Sequence, residues 1–278
     1  MAALTGGNWS SAFAFRHDGR DLVIRFGRWR DDFEKDAAAM AFAGPDLPVP
    51  RVLEIGDAFD GAYAISERHF GRFLEELDAE GFRRVLPALF RALDTMRAVP
   101  VPGDARVMPW SAWLRTLLVD EPGARVSGWR HKIAASPELD ALFVAGQRAF
   151  EDLVDTCPDL RHVLHLDLIN RNVLVTDDCT RLEAVFDWGC LAYGDFLYDI
   201  AWFTFWAPWH PGLAATDMRA AALDHYAATG VEVENFDARI RCYELHIGVH
   251  HLAYNSFVPG READLAEIAS RVRGLIPR

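Results

Sequence analysis

The segment that most restricts the fold lies between residues 165 and 189. His165-Leu166-Asp167-Leu168-Ile169-Asn170-Arg171-Asn172 is followed by Val173-Leu174-Val175, a turn at Asp177-Asp178, then Ala184-Val185-Phe186 and Asp187-Trp188-Gly189. The two apolar triplets around a polar turn read as a short β-hairpin. A hairpin returns the chain to its own start. It therefore brings Asp187 back towards Asp167 and Asn172, although twenty residues separate the two aspartates.

The spacing is that of a kinase catalytic loop and its metal-binding aspartate. Phosphoryl transfer needs a carboxylate beside the attacking hydroxyl and hard oxygen ligands for the magnesium that neutralises a triphosphate. Asp167 is the candidate to orient or deprotonate the hydroxyl, and Asn172 and Asp187 are the candidates to hold magnesium. The plainer alternative makes Asp167 and Asn172 turn residues and Asp187 an ordinary strand end. It would stand against either half alone, but it fits poorly with both halves joined by a hairpin of suitable length.

The rest of the chain changes texture once. Residues 11–26 read as a hairpin, with Ala12 to Phe15 and Leu22 to Phe26 as strands and His17-Asp18-Gly19-Arg20 as the turn. A helix over 31–43 puts Phe33, Ala37, Met40 and Ala41 on one face, and Pro45, Pro48 and Pro50 end it. Short strands are expected at 52–55 and 62–66. Beyond Gly71 the apolar spacing becomes helical, over 75–98, 137–156, 194–206, 216–228, 236–256 and 262–275. The expectation is an α+β chain, with a small β-rich lobe over 1–67 and a larger, mostly helical lobe over 68–278. Ligand sites favour such boundaries.

Length and composition narrow the class. The 278 residues suffice for one large domain or two modest ones, and hydrophobic residues at 51% with charged residues at 25% exclude a disordered or fibrous chain. No apolar stretch is long enough to cross a bilayer, and the N-terminus has neither the positive start nor the apolar run of a secretory signal. Cys157, Cys179, Cys190 and Cys242 are too widely spaced for a zinc ribbon or a disulfide scaffold, which suits a reducing cytoplasm. The 41 acidic residues against 29 basic ones give a net charge of −12. Such a surface repels nucleic acid and anionic lipid and attracts cations, although solubility alone could explain it. Only Lys35 and Lys132 are lysines, so a phosphate-binding cation is expected to be an arginine.

These motifs resemble the aminoglycoside phosphotransferase family, which has a protein-kinase-like, two-lobe fold. The family's His-Gly-Asp-x-x-x-x-Asn and Ile-Asp-Trp loops match as His165-Leu166-Asp167 to Asn172 and Phe186-Asp187-Trp188. Leu166 replaces the usual glycine, a departure expected to shift loop packing more than chemistry. Within the family the chain is most similar to hygromycin B phosphotransferases. That similarity runs through Ser10-x-Ala12-Phe13-x-Phe15, Phe33-x-Lys35-Asp36, Leu47-Pro48-x-Pro50, the Cys157-Pro158 run before His162, and Phe205-Trp206-x-Pro208-Trp209.

The resemblance implies ATP and Mg2+ as cofactors and transfer of the γ-phosphoryl group to a hydroxyl of a cationic aminoglycoside. It puts Arg25 where kinases carry the phosphate-gripping lysine and Asp36 where the family carries a helix glutamate; a plain surface ion pair is the alternative. It puts Gly6-Gly7-Asn8-Trp9-Ser10-Ser11 over the phosphates, with Ser10 and Ser11 as candidate contacts, or else as a frayed end. Backbone groups of Ser66 to Arg68 are placed by position against the adenine. Relatives usually carry a further helix ahead of this loop, which implies an incomplete start or a shortened lobe.

A polycationic acceptor calls for carboxylates and aromatics. Asp195, Asp199, Trp206, Trp209 and Glu244 are the candidates, with Asp195 or Asp199 open to a bracing role instead. Trp110, Trp113 and Trp129 are read as core more than as a pocket edge, and His246, His250 and His251 as a solvated or core-satisfied face more than as a metal pair. Two other functions stay open. One is a kinase for another hydroxylated compound, such as a macrolide, homoserine or a choline-like molecule. The other is a non-catalytic nucleotide-binding protein.

Overall fold

The computed structural model describes residues 1–4, 9–103 and 108–277. The expected phosphate loop falls partly outside this set, since Gly6, Gly7 and Asn8 are not among the described residues. In chain order the strands are β1 (Ala2–Leu4), β2 (Ser10–His17), β3 (Arg20–Gly27), β4 (Val52–Ala58), β5 (Gly61–Glu67), β6 (Arg72–Phe73), β7 (His162–Leu164), β8 (Val173–Val175), β9 (Leu182–Val185) and β10 (Ala192–Gly194). The helices are α1 (Arg30–Ala39), α2 (Ala79–Ala98), α3 (Trp110–Thr116), α4 (Arg130–Ala134), α5 (Pro137–Val154), α6 (Leu197–Trp206), α7 (Pro211–Ala214), α8 (Met218–Thr229), α9 (Phe236–Phe257) and α10 (Glu262–Leu275). The chain is thus α+β, and no described helix is long and apolar enough to cross a membrane.

The described chain divides into two compact units. The first comprises Met1–Pro100, His162–Ala192 and Trp206–His225; the second comprises Val101–Arg161, Tyr193–Phe205 and Tyr226–Arg278.

The first unit holds an antiparallel sheet in the order β1-β2-β3-β5-β4. The β2–β3 turn is Asp18-Gly19, at φ 49° and 77°. Two positive φ values are what a two-residue hairpin turn of type I′ needs, and an Asp-Gly pair supplies them at low steric cost. Register then sets Arg25 opposite Ala12 on one side and Ala64 on the other. These small neighbours leave room for α1, whose buried Phe33 packs on Ala62 and Ala64, with Val52 and Ile55 beside them. Arg25 therefore emerges on the covered face of the sheet, towards α1.

A second sheet, in the order β6-β8-β9, carries the hairpin read from the sequence, with Val173 opposite Val185 and Leu174 opposite Ala184. All three residues of β8 are buried, which is why the segment shows a continuous apolar run rather than alternation. Helix α2 starts at the cap Asp78, whose carboxylate accepts from the Gly81 N–H at 2.8 Å, and packs on α7. The expected helix over 75–98 thus begins later, after a 3-10 turn at Leu74–Glu76.

The second unit is helical, built on α9 against α5, α10 and α4. Glycines set its closest crossing. A Cβ on Gly248 would come within 2.6 Å of Val272 and 3.1 Å of Phe205, and one on Gly146 within 2.7 Å of Val249. Trp110, at 0% exposure, stacks on Trp113 at 5.0 Å, and buried Trp129 meets Phe143 at 5.3 Å. Trp110 and Trp129 are therefore core residues rather than the edge of a pocket.

Candidate active site

The residues picked out between 165 and 189 converge within the first unit. Asn172, buried at the root of β8, donates from Nδ2 to the Asp167 carbonyl at 2.8 Å and to Asp167 Oδ2 at 3.0 Å. Its own carbonyl accepts from the Phe186 N–H at 3.0 Å, so the open end of the hairpin is closed one residue before Asp187. Asn170 Nδ2 donates to the other carboxylate oxygen, Asp167 Oδ1, at 2.6 Å.

His165 locks the two limbs together. Its ring is fully buried, with Nε2 3.1 Å from the Phe186 carbonyl and Nδ1 accepting from the Asp167 N–H at 3.3 Å. Nε2 is then the protonated nitrogen. Burial pushes this imidazole down to about 4, so it stays neutral and keeps both bonds. Burial acts the other way on Asp167: with two amides opposing it and the Asp187 charge reinforcing it, the carboxyl is raised to about 7.

Backbone strain concentrates here. Leu166, Asn170, Arg171 and Asp187 have φ of 66°, 63°, 67° and 63°. Left-handed backbone of this kind is costly for residues with a Cβ and clusters at functional sites. The value at Leu166 explains the glycine of the resembling motif: the loop needs positive φ there, and this chain meets that need with a buried leucine.

The front of the site comes from β3 and α1. Arg25 forms an ion pair with Asp36, which is 5% exposed, and reaches Asp187 Oδ1 at 3.3 Å with its other terminal nitrogen. Asp36 Oδ1 also accepts from the Trp188 N–H at 2.6 Å, and Lys35 Nζ donates to the Gly189 carbonyl at 2.7 Å. Adjacent residues of α1 thus hold backbone groups of two adjacent residues, Trp188 and Gly189, in the turn that follows Asp187. The expected Arg25–Asp36 pair is present, and it is part of this network rather than a surface pair.

The donor set fits a hard cation. Asn172 spends its amide donors on Asp167, which leaves the carboxamide oxygen available. The side chain of Asp187 is 46% exposed and meets Arg25 through one oxygen only. Oxygen ligands of this kind suit magnesium shared with phosphate groups. Among the described residues, no group of three or more His, Cys, Asp or Glu could hold a metal unaided.

The remaining candidates fall elsewhere. Ser10 and Ser11 open β2 and line a groove of about 310 Å³ with Gly27, Arg28, Phe59 and Gly61. Ser66 lies in β5, and the Arg68 N–H donates to the Asp21 carbonyl at 3.1 Å. Trp206 and Trp209 pair at 5.2 Å, both partly exposed.

The acidic acceptor candidates need correction, because Asp195, Asp199 and Glu244 are 0%, 1% and 1% exposed. Asp195 meets Arg239 through both oxygens, accepts from the Leu197 N–H at 3.1 Å and bonds the Tyr243 hydroxyl. Glu244 lies 3.2 Å from Arg271. As they stand Asp195 and Glu244 are internal braces, and Asp199 is equally sealed from solvent. His246 is also satisfied internally, by the Tyr198 hydroxyl at 2.8 Å and the Leu114 carbonyl at 3.0 Å.

The motif spacing in the sequence does not single out Asn170 or Lys35. Asn170 stood inside the motif and could have been found as a second amide near Asp167. Lys35 carried a fainter signal, as one of two lysines and the neighbour of Asp36.

Comparison with known proteins agrees with this geometry. The phosphotransferase enzyme family matches residues 2–231. A hygromycin-B 4-O-kinase from Escherichia coli is 29% identical, over 99% of this chain and 80% of that protein. A thermostable mutant of aminoglycoside phosphotransferase APH(4)-Ia, solved as a ternary complex with AMP-PNP and hygromycin B, superposes with a TM-score of 0.81 at 25% identity, covering 99% of this chain and 92% of that one. A spectinomycin phosphotransferase, APH(9)-Ia, shares the fold, with a TM-score of 0.67 at 13% identity over 99% and 89% of the two chains. Spanning most of its length and including the loop from His165 to Trp188, the match shows that this chain belongs to the phosphotransferase enzyme family.

Proposed function

We propose that the protein transfers the γ-phosphoryl group of ATP to a hydroxyl of an aminoglycoside, with hygromycin B as the acceptor to test first. The observation that carries this reading is the convergence of Asp167, Asn172 and Asp187 at the mouth of one hairpin, with Arg25 3.3 Å from Asp187. The similarity to a hygromycin-B 4-O-kinase and to the APH(4)-Ia complex supports the nucleotide and the acceptor. The net charge of −12 suits a cationic acceptor.

In this reading Asp167 accepts the hydrogen bond of the acceptor hydroxyl, aims it, and takes its proton as the new bond forms. Asn170 and Asn172 fix both oxygens of that carboxylate and so reduce the entropy of aiming it. Asn172 and Asp187 would hold magnesium, which when bound would neutralise phosphate charge. Arg25 grips phosphate oxygens, and Asp36 keeps the guanidinium in place. Transfer is direct, by positioning and charge neutralisation.

Ser10, Ser11 and backbone groups of Ser66, in a lobe over 1–67, serve the nucleotide, together with the backbone of Arg68 just beyond it. Residues 68–278 form the lobe that carries the catalytic loop and the acceptor pocket. Trp206 and Trp209 offer aromatic faces to the acceptor. A cytoplasmic location accords with four free thiols and with a need for ATP.

The test is turnover. Purified protein with ATP, magnesium and hygromycin B is expected to give a phosphorylated antibiotic by mass spectrometry. Nucleotide binding without product from any aminoglycoside would overturn the reading. Product from choline or homoserine alone would move the acceptor to another class.

A further inference from the structure

Asn170 and Arg171 are consecutive non-glycine residues with φ of 63° and 67°. Left-handed backbone is tolerated by Asn but costly for Arg, so the pair persists only if something holds Arg171. What depends on it is plain. Asn170 bonds one oxygen of Asp167 and Asn172 the other, and Arg171 is the residue between them. Relaxing either φ would pull at least one amide off the carboxylate.

Three contacts reach Arg171, all from the segment before α2. Its guanidinium pairs with Glu76 at 2.9 Å, where both side chains are about half exposed (44% and 51%). Pairs of that exposure are worth little. The guanidinium also lies 4.0 Å from the Phe73 ring centre. Both contacts act on the end of a long flexible side chain and leave the backbone free to turn. The third acts on the backbone itself: the Arg171 N–H donates to Glu75 Oε1. A bond from a backbone N–H to a carboxylate is charge-assisted and stronger than a neutral one.

The other oxygen of Glu75 is the telling detail. Oε2 is buried without a hydrogen-bond partner. Buried polar atoms are normally paired, and an orphan marks a place where something other than stability is served. Burial accordingly raises the Glu75 carboxyl above its usual range. Glu75 thus gives up solvation to hold one peptide group of the loop.

We propose that Glu75 is a positioning residue for phosphoryl transfer: by holding the Arg171 N–H it fixes the left-handed Asn170–Arg171 pair and so the two amides that aim Asp167. This rests on the reading of Asp167 as the group that meets the acceptor hydroxyl. The mechanical part, a carboxylate pinning one amide, stands or falls separately.

The first measurement needs no variant. Hydrogen exchange by NMR on the whole protein is expected to show the Arg171 amide protected at least ~100-fold over its unstructured rate. Exchange at the unstructured rate would overturn the proposal whether or not the protein proves to be a kinase. The second compares Glu75→Leu, which removes the acceptor, with Glu75→Gln, which keeps one. Glu75→Leu is expected to lower kcat about 10- to 100-fold with the KM for ATP within about 2-fold, and Glu75→Gln to restore most of kcat. Equal loss in both variants, or an unchanged kcat in Glu75→Leu, would overturn it. Arg171→Ala separates the remaining possibility, since it keeps the backbone N–H and deletes the guanidinium. A loss in that variant matching Glu75→Leu would assign the grip to Glu76 and Phe73 instead. A wild-type protein that phosphorylates no aminoglycoside would remove the functional reading and leave the exchange result to judge the pin.

Discussion

Asp187 and Asp195 lie eight residues apart in the chain and live under opposite conditions. Asp195 has no exposed surface, and both of its oxygens are taken up by Arg239, with Tyr243 and the Leu197 N–H beside it. The side chain of Asp187 is 46% exposed, has a single 3.3 Å contact with Arg25 and sits on left-handed backbone. The same contrast runs through the regions around them. In the second unit Glu244 faces Arg271 and His246 is bonded through both nitrogens. At the loop ends of the first unit, Asp167 is raised to about 7 and Glu75 leaves an oxygen orphaned. A saturated charge can only brace; a charge left short of partners is available to a ligand. Counting acids in a sequence cannot separate the two kinds.

The contrast can be broken most directly at Asp167. Replacing it with Ala is expected to lower kcat by about 100- to 10,000-fold, the range for a positioned base, while AMP-PNP affinity by calorimetry stays within about 3-fold. Parallel loss of both would make Asp167 another brace. The matching change in the second unit is Arg239→Leu, which strands a buried carboxylate. Urea unfolding is expected to show a loss of about 3–5 kcal/mol, and a loss below about 1 kcal/mol would mean that Asp195 is not held as described.

Acid sharpens the comparison. His165, His246, His250 and His251 are pushed by burial to about 4, 3, 4 and 3. Their folded pKa values lie below the unfolded one, so the stability they contribute is complete above about pH 6.5 and fades as the pH falls towards 4. Asp167 runs the other way, because its folded value is the higher one. At pH 5 these five groups together predict uptake of about three protons on unfolding, measurable from the slope of stability against pH. A flat slope between pH 6.5 and 5 would contradict neutral buried histidines.

That same sign gives a smaller effect. Asp167→Asn removes the charge but leaves one of the two amides facing a donor, so its effect on stability is expected to be more favourable at pH 8 than at pH 4 by about 1–2 kcal/mol. An equal effect at both pH values would mean that the charge is not its source. The smallest expected change is at Leu166. Glycine there relieves roughly 1–2 kcal/mol of strain but loses about 1.5–3 kcal/mol of burial. A net loss near 1 kcal/mol is expected, with near-normal turnover. A gain in melting temperature would show that strain outweighs packing.

Much of the site was legible because its key distances are short along the chain. His165 to Asp187 is one hairpin with its flanks, and local turn chemistry and apolar runs suffice to read it. Arg25 and Asp36 came from resemblance, and the β2–β3 turn from its Asp-Gly pair. Glu75 gave no signal, since its partner Arg171 lies 96 residues away. Lys35 and Gly189 are 154 apart. The acidic acceptor candidates misled for a related reason: Asp195 meets Arg239 across 44 residues, and nothing in the local sequence reports that it is sealed. The shortest elements, such as α3, α4 and β6, carry too few residues to show a period.

Helix α1 touches the Asp187 turn through two neighbouring side chains, one on an N–H and the next on a carbonyl. Two such handles, one residue apart, behave as a wrench on a bolt. A few degrees of roll in the helix would swing the carboxylate they govern, with no residue between them needing to move. On the proposed role of Asp187, a mutation that rocks this helix would therefore act on the chemistry without occupying the place where it happens.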